Sequence, residues 1–153
     1  MGKIIKLTKE NFETKYPDVY NWSTGGYKHY TEKFRKEFLN RNRETFIYDI
    51  DGKRASKVSI VYDQGDPEYT IPNVRVYLSN VGTEYKYCRQ GFASLLIAHA
   101  VEYVKAKGYT EMSVGVDLDN FNALRLYVKN GFTTIIRVDE DENGEYIKLL
   151  KKL

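Results

Sequence analysis

Between residues 74 and 108 an extended apolar run passes through a polar connection into Gly91, beyond which Ala93, Ile97, Ala100, Val101 and Val104 recur at helical spacing. This pattern spells strand, tight turn and helix. Gly91 has no Cβ, so a ligand can come close to its backbone, and the start of a helix offers unpaired N–H groups and the positive end of its dipole. Such a place suits phosphate oxygens. Neither the Gly-x-x-x-x-Gly-Lys-Ser/Thr string of nucleotide-binding loops nor the Gly-x-Gly-x-x-Gly string of dinucleotide turns is present.

Around this unit the chain reads in order as short elements. Residues 3–7 predict a strand, and Thr8 with Asn11 and Phe12 predicts a helix through about residue 20. Ser23, Thr24, Gly25 and Gly26 break the chain, and a helix with an aromatic stripe (Tyr30, Phe34, Phe38) follows over residues 27–40. Residues 45–50 and 55–62 predict a hairpin about Asp51-Gly52, a pair suited to a primed turn. Residues 63–68 read as a loop and 71–81 as the next strand. The helix from Gly91 should end at Gly108, a left-handed cap, with Lys105 and Lys107 favourably placed in its last turn. Met112, Val114 and Val116 alternate into Asp117, making a parallel strand-helix-strand unit. Asp119 or Asn120 caps a short helix stopped by Asn130-Gly131, and residues 132–138 and 146–150 form a last hairpin around an acidic loop at 139–145.

The 153 residues suit one domain, 1–153. No apolar run approaches the roughly 18 residues that a membrane span needs, and the start lacks a secretory core, so the Asn21-Trp22-Ser23 sequon is expected to carry no glycan. One cysteine excludes an internal disulfide framework and suits a reducing cytoplasm; two histidines and that cysteine make no structural zinc site. With a net charge of +3 and basic residues scattered among acidic ones, a nucleic-acid partner is not indicated. Most of the fourteen tyrosines are expected at the edge of the core with their hydroxyls in water.

Cys88-Arg89-Gln90-Gly91-Phe92-Ala93 and the following Leu95-Leu96 resemble the acetyl-CoA signature of the GCN5-related N-acetyltransferase (GNAT) family: Arg or Gln, two residues, Gly, one residue, then Gly or Ala. Cys88 stands where Arg or Gln is usual. A second string matches downstream, where Asn120, Ala123, Leu126, Tyr127, Gly131 and Phe132 follow the family's Asn-x-x-Ala-x-x-Leu-Tyr and Gly-Phe in order and spacing. The resemblance implies an α/β fold, a mixed sheet of about six or seven strands with helices on both faces and parallel strands splayed for a pantetheine arm.

It further implies acetyl-CoA as cosubstrate, no metal, and transfer to a primary amine of a small molecule or peptide. The backbone N–H groups of Arg89, Gln90, Gly91, Phe92, Ala93 and Ser94 would meet the pyrophosphate. The strand edge at Asn80 and Val81 would pair with the pantetheine amides. Asn120 matches a position that contacts the cofactor arm, though it serves equally as a helix cap. Tyr127 matches the family's general acid, a phenol protonated at neutral pH and able to protonate the leaving thiolate. Glu84, near the mouth of the strand, is the first candidate for the base and Asp117 the second. Cys88 lacks an activating neighbour, since His99 lies eleven residues on at about 1.5 Å per helical residue, so direct transfer in a ternary complex is expected over a covalent intermediate. A CoA-binding sensor with weak catalysis and a tRNA-directed enzyme remain alternative readings, and a homodimer stays open.

Overall fold

Asp51 and Gly52 both adopt left-handed backbone, φ 53° and 82°, and this turn sets the first register of the sheet. It joins β2 (Arg43–Ile50) to β3 (Lys53–Val61), paired antiparallel with Ile50 opposite Lys53. The computed structural model describes residues 2–21 and 28–153, the side chains of 28–30 excepted. The expected break at Ser23–Gly26, the sequon residues Trp22 and Ser23, and the Tyr30 side chain fall outside it.

β1 (Gly2–Lys6) lies along the far side of β2, and β4 (Arg75–Thr83) pairs antiparallel with β3. A 3-10 turn (Tyr85–Tyr87) leads to α3 (Phe92–Ala106), after which β5 (Glu111–Asp117) returns parallel to β4. α4 (Phe121–Lys129) precedes the closing hairpin, β6 (Thr134–Asp141) and β7 (Gly144–Lys152). The seven strands run β1-β2-β3-β4-β5-β7-β6, a mixed sheet as expected, with β7 seated between β5 and β6.

Alternation along the strands sends neighbours to opposite faces. Phe46 enters a core with Val58, Ile60, Val76, Leu78, Met112 and Val114, covered by the α3 stripe Leu96, Ile97, Ala100 and Val104. Each of these side chains larger than alanine contributes roughly 1.5–3 kcal/mol by its burial. Ile47, the next residue, packs into a second cluster with Phe12, Tyr16, Val19, Tyr20 and Phe34 from α1 (Lys9–Thr14), α2 (Lys28–Leu39) and the segment between them. The aromatic stripe of α2 is core at Phe34 and Phe38, and helices flank both faces.

Three expectations need correction. α1 ends at Thr14 instead of near residue 20, because Pro17 disfavours helical backbone at Tyr16. β4 begins at Arg75, since Ile71 and Arg75 close a turn through Pro72 and Asn73, φ 63°. The acidic loop at 139–145 shrinks to Glu142 and Asn143 between β6 and β7. Among the tyrosines, Tyr16 and Tyr20 are exceptions to a place at the core's edge, with hydroxyls turned inward: Tyr16 donates to Asp49, and Tyr20 Oη shares a hydrogen bond with Thr45 Oγ1 at 2.7 Å.

Candidate active site

Pairing between β4 and β5 covers only Arg75–Glu111, Val76–Met112 and Tyr77–Ser113. Beyond Ser113, β5 follows β7, so among the described residues β4 from residue 78 to 83 keeps β3 on one side and no strand on the other. Within that free stretch the β3 register slips between Lys57 and Ser59, placing Asn80 and Val81 opposite Val58 alone. Asn80 takes φ 53° at this bulge, and its side-chain Nδ2 is buried with no acceptor among the described residues. A buried amide donor without a partner costs roughly 1–3 kcal/mol, so a ligand oxygen there would be favoured.

The connection that follows carries the glycine turn. Glu84 is half exposed, and its Oε1 accepts from Arg54 Nη2 at 3.0 Å while Arg54 Nη1 reaches Asp18 at 2.9 Å. Cys88 is exposed, its Sγ 3.6 Å from the Glu84 carbonyl; the His99 ring packs on Phe46 at 4.9 Å between centroids. Arg89 and Gly91 are left-handed, φ 63° and 82°, and Gly91 caps α3. The N–H groups of Phe92, Ala93 and Ser94 head that helix and have no acceptor within it. The Phe92 ring is core, stacked 4.5 Å from Tyr48, so only its backbone faces outward; Ser94 Oγ accepts from Asn130 Nδ2 at 3.0 Å. Arg89 and Gln90 are exposed beside them.

Asn120 caps α4, its Oδ1 accepting from the Ala123 N–H at 3.2 Å. About two α4 turns later Tyr127 is 8% exposed, edge-on to Phe132 at 5.9 Å. Burial, with a smaller contribution from Tyr77, pushes its phenol well above the ordinary value. Tyr127 lines two clefts. One, of about 590 Å³, is bounded by Asp18, Arg54, Lys57, Asn80, Gly82 and Glu84. The other, of about 600 Å³, is bounded by Arg43, Tyr77, Ser79, Asp117, Asn120 and Lys148 among others. The structure therefore brings Asn80, Val81, Glu84 and Tyr127 to one cleft and Asp117, Asn120 and Tyr127 to the other.

Sequence reasoning missed Lys57 and Arg43. Lys57 donates to the Val19 carbonyl at 2.6 Å, and burial, with Arg54 nearby, lowers its pKa to about 8. The alternation of Val58, Ile60 and Tyr62 already put it on the face opposite α3. Arg43, 2% exposed, binds Glu37 Oε1 through Nη2 at 3.0 Å and Ser79 Oγ at 3.1 Å over the Phe34 ring, and burial lowers its pKa against the pull of Glu37. It precedes the residue at which the hairpin was expected to begin. Among the described residues no group of three or more His, Cys, Asp or Glu side chains could hold a metal, and no helix is long and apolar enough to cross a membrane.

Comparison with known proteins places this geometry. The family model described as acetyltransferase (GNAT) family matches residues 4–132. An aminoglycoside N(6')-acetyltransferase type 1 from Serratia marcescens is 26% identical over 120 residues, 76% of this chain and 81% of that protein. An IAA acetyltransferase from Bacillus cereus superimposes with TM-score 0.73 at 18% identity over all of both chains. An acetyltransferase of Elizabethkingia anophelis with acetyl-CoA bound superimposes with TM-score 0.72 at 16% identity, covering 99% of this chain and 98% of that one.

Proposed function

The chain belongs to the acetyltransferase (GNAT) family, and from that premise we propose that it moves the acetyl group of acetyl-CoA to a primary amine of a small molecule or peptide, directly, within a ternary complex. The observation that carries this reading is the divergence of β4 from β5 at Tyr77–Ser113, which leaves a free strand edge beside a buried tyrosine and two clefts. The relative with acetyl-CoA bound shares the fold.

The residues present fit such a donor. Backbone N–H groups from Arg89 to Ser94 would hold the diphosphate, with the Arg89 and Gln90 side chains beside it. The edge at Asn80 and Val81 would take the pantetheine amides as a further strand, and Asn80 Nδ2, which has no partner among the described residues, would supply one more donor. Asn120 would contact the cofactor arm with whatever polar capacity its capping bond leaves free. Transfer needs a neutral amine, a stabilised oxyanion and a proton for the thiolate. Tyr127 holds that proton on an acid whose burial keeps it protonated at every physiological pH. Glu84 is the proposed acceptor of the ammonium proton, directly or through water, with Asp117 second. The Asp117 and Asp141 carboxylates on the wall of the 600 Å³ cleft favour a cationic acceptor.

The test is release of CoA thiol with acetyl-CoA and a panel of amines, aminoglycosides first because the Serratia relative acts on one by name. Thiol release that depends on an amine supports the enzyme. CoA binding by calorimetry with no release across the panel would leave a binding module.

A further inference from the structure

Lys57 is a charged side chain in the heart of the proposed site that neither the acid nor the base role uses. It stands opposite Gly82 in the β3–β4 ladder, so both project to the same face. Gly82 has no side chain, and a Cβ there would meet Lys57 Cε at 3.4 Å. The lysine therefore leans off its own strand and over Gly82 of β4. Its amine ends beneath the Val19 carbonyl, in the cleft shared by Asn80, Val81, Gly82 and Tyr127.

We propose that Lys57 is itself an acceptor: with no other amine present, the protein acetylates its own Lys57 side chain from bound acetyl-CoA. This rests on the donor reading above, which lays the pantetheine amides along the Asn80–Val81 edge and so ends the arm in the cleft that Lys57 and Tyr127 line. The neutral amine attacks the thioester carbonyl; the C–N bond forms, the C–S bond breaks, and the amine's surplus proton passes to the leaving thiolate. Lysine and acetyl-CoA become Nε-acetyl-lysine and free CoA, with no other reactant. The remaining amide N–H can still donate to Val19 O, while the acetyl group occupies the cleft beside Tyr127.

The surroundings favour a neutral amine. Burial acts first, then Arg54, with Arg43 adding to it; Glu84 and Asp18 oppose, and the net result is a pKa of about 8. At pH 8 roughly half of such lysines are neutral, against less than roughly 1% at the ordinary 10.5. Lys15, Lys53 and Lys86 line a separate cleft with Arg54 and Glu84, and they serve as internal controls for chemical acetylation by the thioester.

The experiment incubates the purified full chain with acetyl-CoA at pH 8 and no amine, follows thiol release, and maps acetylated lysines by mass spectrometry. The expected result is one acetyl group per chain, on Lys57, appearing at least about tenfold faster than on Lys53 or Lys86, in line with its neutral fraction. Lys57→Arg should keep CoA affinity and lose that fast acetyl group. Calorimetric CoA binding with Lys57 unmodified, or modified no faster than Lys53 and Lys86, overturns self-acetylation and leaves the donor reading standing. Absence of CoA binding overturns both. Should Lys57→Arg fold poorly, the mapping on the natural chain decides alone.

Discussion

Tyr127→Phe removes one oxygen from a packed ring and leaves its edge contact with Phe132 in place. If the phenol protonates the leaving thiolate, kcat should fall by about a hundredfold, the low end for general acid catalysis, while CoA affinity by calorimetry stays within about twofold. Unchanged turnover would remove the acid role. Tyr16→Phe tests stability instead. Asp49 is 3% exposed; burial alone would raise its carboxyl, but Tyr16, the Gly52 N–H and Lys15 together hold it below the usual carboxylate range. A carboxyl lowered in the folded state adds stability that is complete above the unfolded value and lost as pH falls through the folded one. Tyr16→Phe should therefore cost about 1–3 kcal/mol in urea unfolding at neutral pH and move acid unfolding to higher pH. Tyr127 could be nominated in advance because it sits inside a string of fixed spacing. The Tyr16–Asp49 pair could not, since its members lie thirty-three residues apart and only packing brings them together.

Among the elements, the turn into α3 has the sharpest consequence. Gly91 stands at φ 82° with nothing within 4 Å of a would-be Cβ, so Gly91→Ala meets no clash and bears only the left-handed backbone penalty. That is about 1 kcal/mol. Denaturation should report that loss, and CoA affinity should fall with it, because relaxing the turn re-aims the first N–H groups of α3. A stability loss with unchanged affinity would make Gly91 a turn residue and nothing more. The same turn, the Asp51-Gly52 hairpin and the Gly108 stop could be read in advance because one or two residues decide each. By the same measure Pro17 alone gave notice of where α1 stops. The start of β4 and the length of the β6–β7 hairpin could not be read so, being settled by the Ile71–Arg75 closure and by strand neighbours distant in the chain.

At the scale of the whole molecule, the divergence of β4 and β5 links binding to stability. Saturation with CoA at about a hundred times its dissociation constant should add about 2.7 kcal/mol to unfolding, read as a raised Tm. Hydrogen exchange should slow at the β4 amides between residues 78 and 83 and leave those of β1 unchanged. Protection spread evenly over the sheet would argue against a ligand seated on that edge. The proposed donor side of the site is local in sequence, residues 80–94, so one stretch was enough to suggest it. The facing wall gathers Arg43, Lys57, Tyr77, Asp117 and Lys148 from five different strands, and no string of residues announces such a surface. The position of β7 was equally hidden, and it bears on how the chain is made. A ribosome releases β5 with one strand beside it, joined over three residue pairs, and its other flank stays bare until residues 144–152 emerge to fill the gap between it and β6. Closure of the sheet's centre must then follow synthesis of nearly every other element, so the half-made protein carries an open, apolar strand edge that chaperones or aggregation can claim first.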